Sequence, residues 1–252
     1  MIKITGLSKK YSDKYVVKNA DALFPKEMVT SIIGPNGAGK STLLSMASRL
    51  TFSDAGQVLI EDKLLSQWDT QELAKRLAVL RQSNNINMRF TVRELVAFGR
   101  FPHSKGRLTN KDNEIIDKAL AQLDITYIQD KFLDQLSGGQ RQMAFIAMVV
   151  AQDTDYVFLD EPLNNLDIKH SVAIMKSLQR LAHESGKAVV IVIHDINFAS
   201  VYSDAIIAMK QGEVVANGPT EQVIEAKTLS DIYEIDFQIA EANGQKICLY
   251  YS

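Results

Sequence analysis

The octet Gly34-Pro35-Asn36-Gly37-Ala38-Gly39-Lys40-Ser41, followed by Thr42, constrains this chain more than any other feature. It fits the pattern G-x-x-x-x-G-K-[ST]. The β-rich run 28–33 leads into it, and Leu43, Leu44, Met46 and Ala47 follow at helical spacing. Such a strand–loop–helix unit has a mechanism. Its glycines let successive backbone N–H groups turn inward around phosphate oxygens, and the helix N-terminus adds partial positive charge. Lys40 would reach the β- and γ-phosphates of a nucleotide, and Ser41 would ligate Mg2+.

The rest of the chain fits an α/β fold around that unit. Uninterrupted apolar strands are expected at 77–80, 156–159, 188–193 and 205–209, with an amphipathic helix at 171–183. Apolar strands alternating with helices predict a mainly parallel sheet covered on both faces. Residues 2–7 and 15–22 read as strands of an N-terminal antiparallel β portion, separated by a polar turn at 9–13. The stretch from about Asn84 to Val150 reads as mostly helical. One domain over 1–252 follows, with a core of about 1–83 and 152–252 and an inserted helical subdomain of about 84–151. The last stretch, 228–252, ends in a strand-like alternation and carries no functional reading.

Composition removes several classes. Lys+Arg number 28 against 30 Asp+Glu, a net charge of −2, so no overall basic field exists for nucleic acid. The lone cysteine, Cys248, excludes an internal disulfide framework and fits a reducing cytosol. The longest apolar run, 143–151, is far short of the ~20 residues of a spanning helix. The N-terminus lacks the long apolar core of a signal peptide. Service to a membrane would therefore run from the cytosolic side through a partner.

Two further motifs carry chemistry. The strand 156–159 ends in Asp160-Glu161, which delivers two carboxylates to the sheet's carboxyl edge, where α/β folds bind ligands. Asp160 would hold Mg2+, directly or through water, and Glu161 would act as general base on a water. Leu136-Ser137-Gly138-Gly139-Gln140 opens a second helix with exposed backbone N–H groups suited to a γ-phosphate. One chain needs only one cradle per nucleotide, so the second would serve the nucleotide of another subunit.

These three motifs, in this order and spacing, resemble an ABC-type ATPase cassette over essentially the whole chain. The resemblance implies a P-loop fold and ATP with Mg2+ as cofactors. It also implies an ATP-dependent head-to-tail homodimer, in which Ser137, Gly138, Gly139 and Gln140 complete the partner's site. It assigns Gln82 to Mg2+ and water, His194 to the γ-phosphate and Tyr11 to adenine stacking. It places Asn164-Asn165-Leu166-Asp167 at the dimer interface. Segments 98–107, 161–167 and 194–199 look most like ATPase subunits of Gram-positive-type iron–siderophore importers; Met143 stands where that group often carries arginine. The implied partners are a separate membrane permease and, through it, a substrate-binding lipoprotein, with the chain peripheral on the cytoplasmic face. Arg100, His103, Lys105 and Arg107 are expected near the permease surface. The soluble ABC ATPase of iron–sulfur cluster assembly is the alternative. A plain P-loop kinase would have no use for residues 136–140.

Overall fold

Three strands buried along their whole length build the centre of the fold in the computed structural model, which describes residues 1–82, 89–164 and 166–251. The chain begins with the antiparallel pair β1 (Ile2–Tyr11) and β2 (Lys14–Phe24), then β3 (Val29–Ile33), the glycine loop and α1 (Lys40–Ala47). β4 (Ala55–Ile60) and β5 (Lys63–Leu64) return to β1, and α2 (Thr70–Ala74) leads to β6 (Leu77–Leu80). Helices α3 (Val92–Phe98), α4 (Phe101–Ser104), α5 (Asn110–Gln122) and α6 (Gly138–Ala151) follow. β7 (Tyr156–Asp160), α7 (Ile168–His183), β8 (Ala188–Val192), α8 (Ile196–Tyr202), β9 (Ala205–Lys210) and β10 (Glu213–Pro219) complete the main sheet. α9 (Thr220–Val223), α10 (Ala226–Tyr233) and the hairpin β11 (Gln238–Ala242) and β12 (Gln245–Leu249) end the chain.

Among the described residues the main sheet runs β10-β9-β3-β8-β7-β6, parallel from β9 to β6 with β10 antiparallel at the edge. A second, antiparallel sheet has the order β2-β1-β4-β5. Strand periodicity then divides the core in two. Ile32, Phe158, Val190, Val192 and Ile207 face the N-terminal sheet and α1. Ile33, Val157, Leu159, Val189, Ile191 and Ile206 face α6, α7 and the helical segment. The mixed architecture thus has the mainly parallel sheet, antiparallel N-terminal portion and helices that the sequence predicts. Residues 84–88, where the helical stretch was expected to begin, lie outside the described residues.

Three of the four α-helices between residues 92 and 151 start on a local cap; α4 has none. Thr91 with Glu94, Thr109 with Asp112 and Ser137 with Gln140 form reciprocal capping boxes. The 171–183 helix starts three residues earlier than its apolar spacing indicates, because Asp167 caps it by accepting from the His170 N–H. The C-terminal strand expected near 247–251 is instead one arm of a hairpin. It is fixed to α8 by Asn197, which accepts from the Cys248 N–H (2.7 Å) and donates to Cys248 O (3.2 Å).

Arg100 departs from its expected place at a docking surface. It is 5 % exposed, and its Nε donates to Asp112 Oδ1 at 2.9 Å while Nη1 donates to Ala151 O at 2.9 Å. Its charge is spent joining α3, α5 and the end of α6. His103 is paired with Gln152 O (2.9 Å), whereas Lys105 and Arg107 face solvent.

Candidate functional site

Strand register gathers the site. Ile32 pairs with Val192, Val192 with Asp160, and Leu80 with Leu159. Gly34 lies two residues beyond Ile32, His194 two beyond Val192, Gln82 two beyond Leu80, and Glu161 one beyond Asp160. Four segments distant in sequence therefore emerge side by side at the carboxyl edge of the parallel sheet, where such sheets bind ligands.

The glycine loop runs from β3 into α1. A side chain at Gly34, with φ near 141°, would place its Cβ 2.1 Å from Met209 O, so only glycine fits there. Pro35, Asn36, Gly37 and Ala38 form a tight turn closed by the Ala38 N–H donating to Pro35 O (3.2 Å), and Gly39 leads into the helix. Lys40 folds back over the turn, donating to Gly34 O (2.8 Å) and Pro35 O (3.0 Å). Burial lowers its pKa, against the opposing pull of Glu161 and Asp160.

Ser41 Oγ donates to Asp160 Oδ1 at 2.8 Å. Burial pushes the Asp160 carboxyl above its ordinary range, with that Ser41 bond opposing. Tyr11, Ser41, Thr42, Gln82 and Asp160 line one cavity of about 210 Å³, and the Tyr11 ring is 53 % exposed at its rim.

Glu161 is the convergence point of the second half. Oε2 accepts from Gln82 Nε2 (2.6 Å) and Asn164 Nδ2 (2.5 Å), while Oε1 pairs with His194 Nε2 (2.5 Å). Its backbone sits in the left-handed region at φ 52°, held by its N–H donating to Val192 O (3.1 Å). A non-glycine residue there costs about 1–2 kcal/mol, and the strain turns the carboxylate from the strand toward its three partners.

Ser137, Gly138, Gly139 and Gln140 are not brought to this loop. Among the described residues the Ser137 and Gln140 side chains bond only within the motif or to Tyr127, and the backbone continues into α6. Asn164 acts on Glu161, a contact the sequence did not disclose, although its position three residues on is within reach of one turn. Leu166 and Asp167 follow as a loop into α7; Asn165 lies outside the described residues.

A loop shaped for phosphates, a hydroxyl–carboxylate pair beside it and a glutamate held by an imidazole together define a P-loop nucleotide hydrolase. The chain belongs to the ABC transporter family, which residues 17–164 match. It is 54 % identical over 252 residues, all of both chains, to the petrobactin import ATP-binding protein YclP of Bacillus subtilis. It is 49 % identical to the petrobactin import ATP-binding protein FatE of Bacillus anthracis, covering 99 % of this chain and 100 % of that one. Its fold is similar to the dimeric structure of MJ0796, described as a bacterial ABC transporter cassette. That match has TM-score 0.78 and 31 % identity, over 87 % of this chain and 99 % of that one. It also resembles an inward-facing putative metal-chelate type ABC transporter, with TM-score 0.84 and 21 % identity over 99 % and 98 % of the two chains. The chain is accordingly an ABC ATPase, and among its described residues no helix is long and apolar enough to cross a membrane.

Proposed function

We propose that this chain hydrolyses ATP to power import of an iron–siderophore chelate through a separate membrane permease. The observation that carries the hydrolytic part is the convergence of Gln82, Asn164 and His194 on Glu161 beside the Ser41–Asp160 pair. The cargo class is supported by full-length relatives whose names specify petrobactin import. These relatives do not favour the iron–sulfur assembly alternative.

The roles follow from the geometry. ATP lies on residues 34–42, with Lys40 exchanging its loop carbonyls for phosphate oxygens and adenine stacking on Tyr11. Ser41 and Asp160 present only oxygen donors, 2.8 Å apart, which suits Mg2+. Among the described residues no group of three or more His, Cys, Asp and Glu gathers to hold a metal, so Mg2+ would depend on this pair, Gln82 and the phosphates. When bound, Mg2+ would neutralise phosphate charge. Glu161 takes the proton of the attacking water, and His194 steadies the carboxylate and faces the γ-phosphate.

The second cradle completes a partner's site in a head-to-tail homodimer. Among the described residues a side chain at Gly138 would meet nothing within 4 Å, and its backbone needs no left-handed angle, so none of them requires glycine there. A phosphate approaching the α6 N-terminus from another subunit would require it. For the permease, Phe98 (49 % exposed) and Phe101 (59 %) surround an apolar hollow of about 300 Å³ with Phe90, Ala97 and Leu108. Lys105 and Arg107 stand beside it. The chain then sits peripherally on the cytoplasmic face, joined through the permease to a substrate-binding lipoprotein.

The test is affinity purification of tagged Glu161→Gln protein from native membranes with ATP, followed by mass spectrometry. Recovery of a multi-span permease with a lipid-anchored binding protein supports the reading. Recovery of soluble scaffold proteins without a membrane partner overturns it.

A further inference from the structure

The C-terminal segment reaches the phosphate loop. Tyr233, the last residue of α10, accepts a hydrogen bond from the Gly34 N–H at 3.0 Å through its hydroxyl. The carbonyl of the same Gly34 receives Lys40 at 2.8 Å, and Met209 O closes off its Cα. Gly34 is thus gripped on three sides, and only one grip comes from the loop's own lysine. Burial pushes the Tyr233 hydroxyl up to about 12, which keeps it neutral.

The ring that carries this hydroxyl is itself braced. Tyr233 packs on Phe237 (centroids 5.8 Å), Phe237 on Tyr250 (5.3 Å), and Tyr250 on Tyr251 (4.5 Å). Tyr250 follows β12, whose backbone is bonded to Asn197, and the Ser200 hydroxyl donates to Lys246 O at 2.7 Å. An aromatic ladder therefore runs from a hairpin fixed on α8 to the first residue of the loop.

We infer that Tyr233 is a positioning residue for ATP binding. When Lys40 leaves the Gly34 and Pro35 carbonyls for phosphate oxygens, the Tyr233 hydroxyl keeps Gly34 in place and the loop open. Without that tether, part of the binding free energy is spent ordering the loop. The inference rests on residues 34–42 being the ATP cradle.

Tyr233→Phe keeps the ring and removes the tether. Purified full-length protein is titrated with a fluorescent ATP analogue and Mg2+, and ATPase turnover and melting temperature are measured alongside. The Kd is expected to rise about three- to ten-fold, the size of one hydrogen bond. Turnover at saturating ATP stays within about two-fold and melting within about 3 °C. Tyr250→Phe, which deletes a hydroxyl paired with Tyr251 in the same ladder, leaves Kd unchanged. A Tyr233→Phe protein with unchanged Kd overturns the inference, whether or not its melting temperature falls. Lys40→Ala separates the two layers. If it keeps full ATP affinity, the cradle reading fails. If it loses affinity while Tyr233→Phe does not, only the role of Tyr233 fails.

Discussion

Glu161→Gln isolates one proton-accepting group from a site that otherwise keeps its shape. The carboxylate accepts on Oε2 from Gln82 and Asn164 and pairs on Oε1 with His194. An amide of the same outline retains one acceptor. With that oxygen toward Gln82 and Asn164, both bonds persist, and the amide N–H2 can donate to His194 Nε2 in its Nδ1–H tautomer. The structural cost is the weakening of charge-assisted bonds to neutral ones, about 1 kcal/mol each. Basicity, in contrast, is lost altogether. A positioned general base contributes about 10²–10⁴-fold, or about 3–5 kcal/mol of activation free energy.

Turnover should therefore fall at least about a hundred-fold, while ATP affinity changes by no more than about three-fold. The direction of that small change is also fixed. Glu161 contributes negative charge near the Lys40 ammonium, so its neutralisation favours an incoming phosphate. Steady-state ATPase assays, nucleotide titration and size-exclusion chromatography with ATP measure the three consequences: slow turnover, retained binding and accumulated dimers. Turnover within about ten-fold of the native chain would refute the base assignment. Loss of ATP binding would refute the claim that Glu161 acts apart from the cradle.

Other residues give sharper contrasts. Lys40→Ala removes the cation meant for the phosphates, and two charged hydrogen bonds at about 1.5–3 kcal/mol each predict at least about a hundred-fold weaker ATP binding, read by the same titration. Arg100→Ala breaks a buried ion pair that is 6 % and 7 % exposed; a cost of about 3 kcal/mol lowers melting by about 6–12 °C. Arg107→Glu, on the exposed side, should leave melting within about 2 °C, and calorimetry distinguishes the two arginines. Thr109 chiefly, with Arg100 adding, holds the Asp112 carboxyl at about 2, below its ordinary 3.8. Since the folded value is the lower one, this stabilisation is complete above about pH 4 and lost as pH falls toward 2. The stability gap between the native chain and Asp112→Asn should thus be flat from about pH 8 to 5 and shrink below about pH 4 in urea titrations.

How much of this was legible in the sequence depended on the range of the interaction. β7 and β8 announce themselves by near-continuous apolar runs, as strands buried on both faces do, whereas β3 is read from its β-branched run into the glycine loop despite the buried polar pair Thr30 and Ser31. Gln82, Asp160, Glu161 and His194 could be assigned as strand-end residues for the same reason. That they share one edge depends on the pairing of Ile32 with Val192 and of Asp160 with Val192, which no local pattern encodes. Arg100 read as part of an exposed basic loop because its partner, Asp112, is itself disguised as a helix-capping residue twelve positions on. The terminal hairpin did carry a local signal. Asn243-Gly244, with φ of 54° and 74°, is the pair a tight two-residue turn demands, and it sits between alternating segments. Tyr233 carried none, since a tyrosine ending an amphipathic helix looks like core until Gly34 is placed beside it.

The polar side chains of the site bond to one another, and this bears on how it binds. Lys40 spends its protons on Gly34 and Pro35, Ser41 on Asp160, and Gln82, Asn164 and His194 on Glu161. Each of these side chains therefore has a partner within the chain. Binding must then exchange bonds, and its free energy is the difference between those made and those broken. Two exchanges have a built-in bias. Burial disfavours both the Lys40 ammonium and the Asp160 carboxylate, shifting their pKa values in opposite directions toward neutrality. A ligand that brings negative charge to the first and positive charge to the second relieves both penalties together, whereas an uncharged ligand relieves neither. On the proposed reading, the site selects for a phosphate chain carrying its cation through these two desolvated charges.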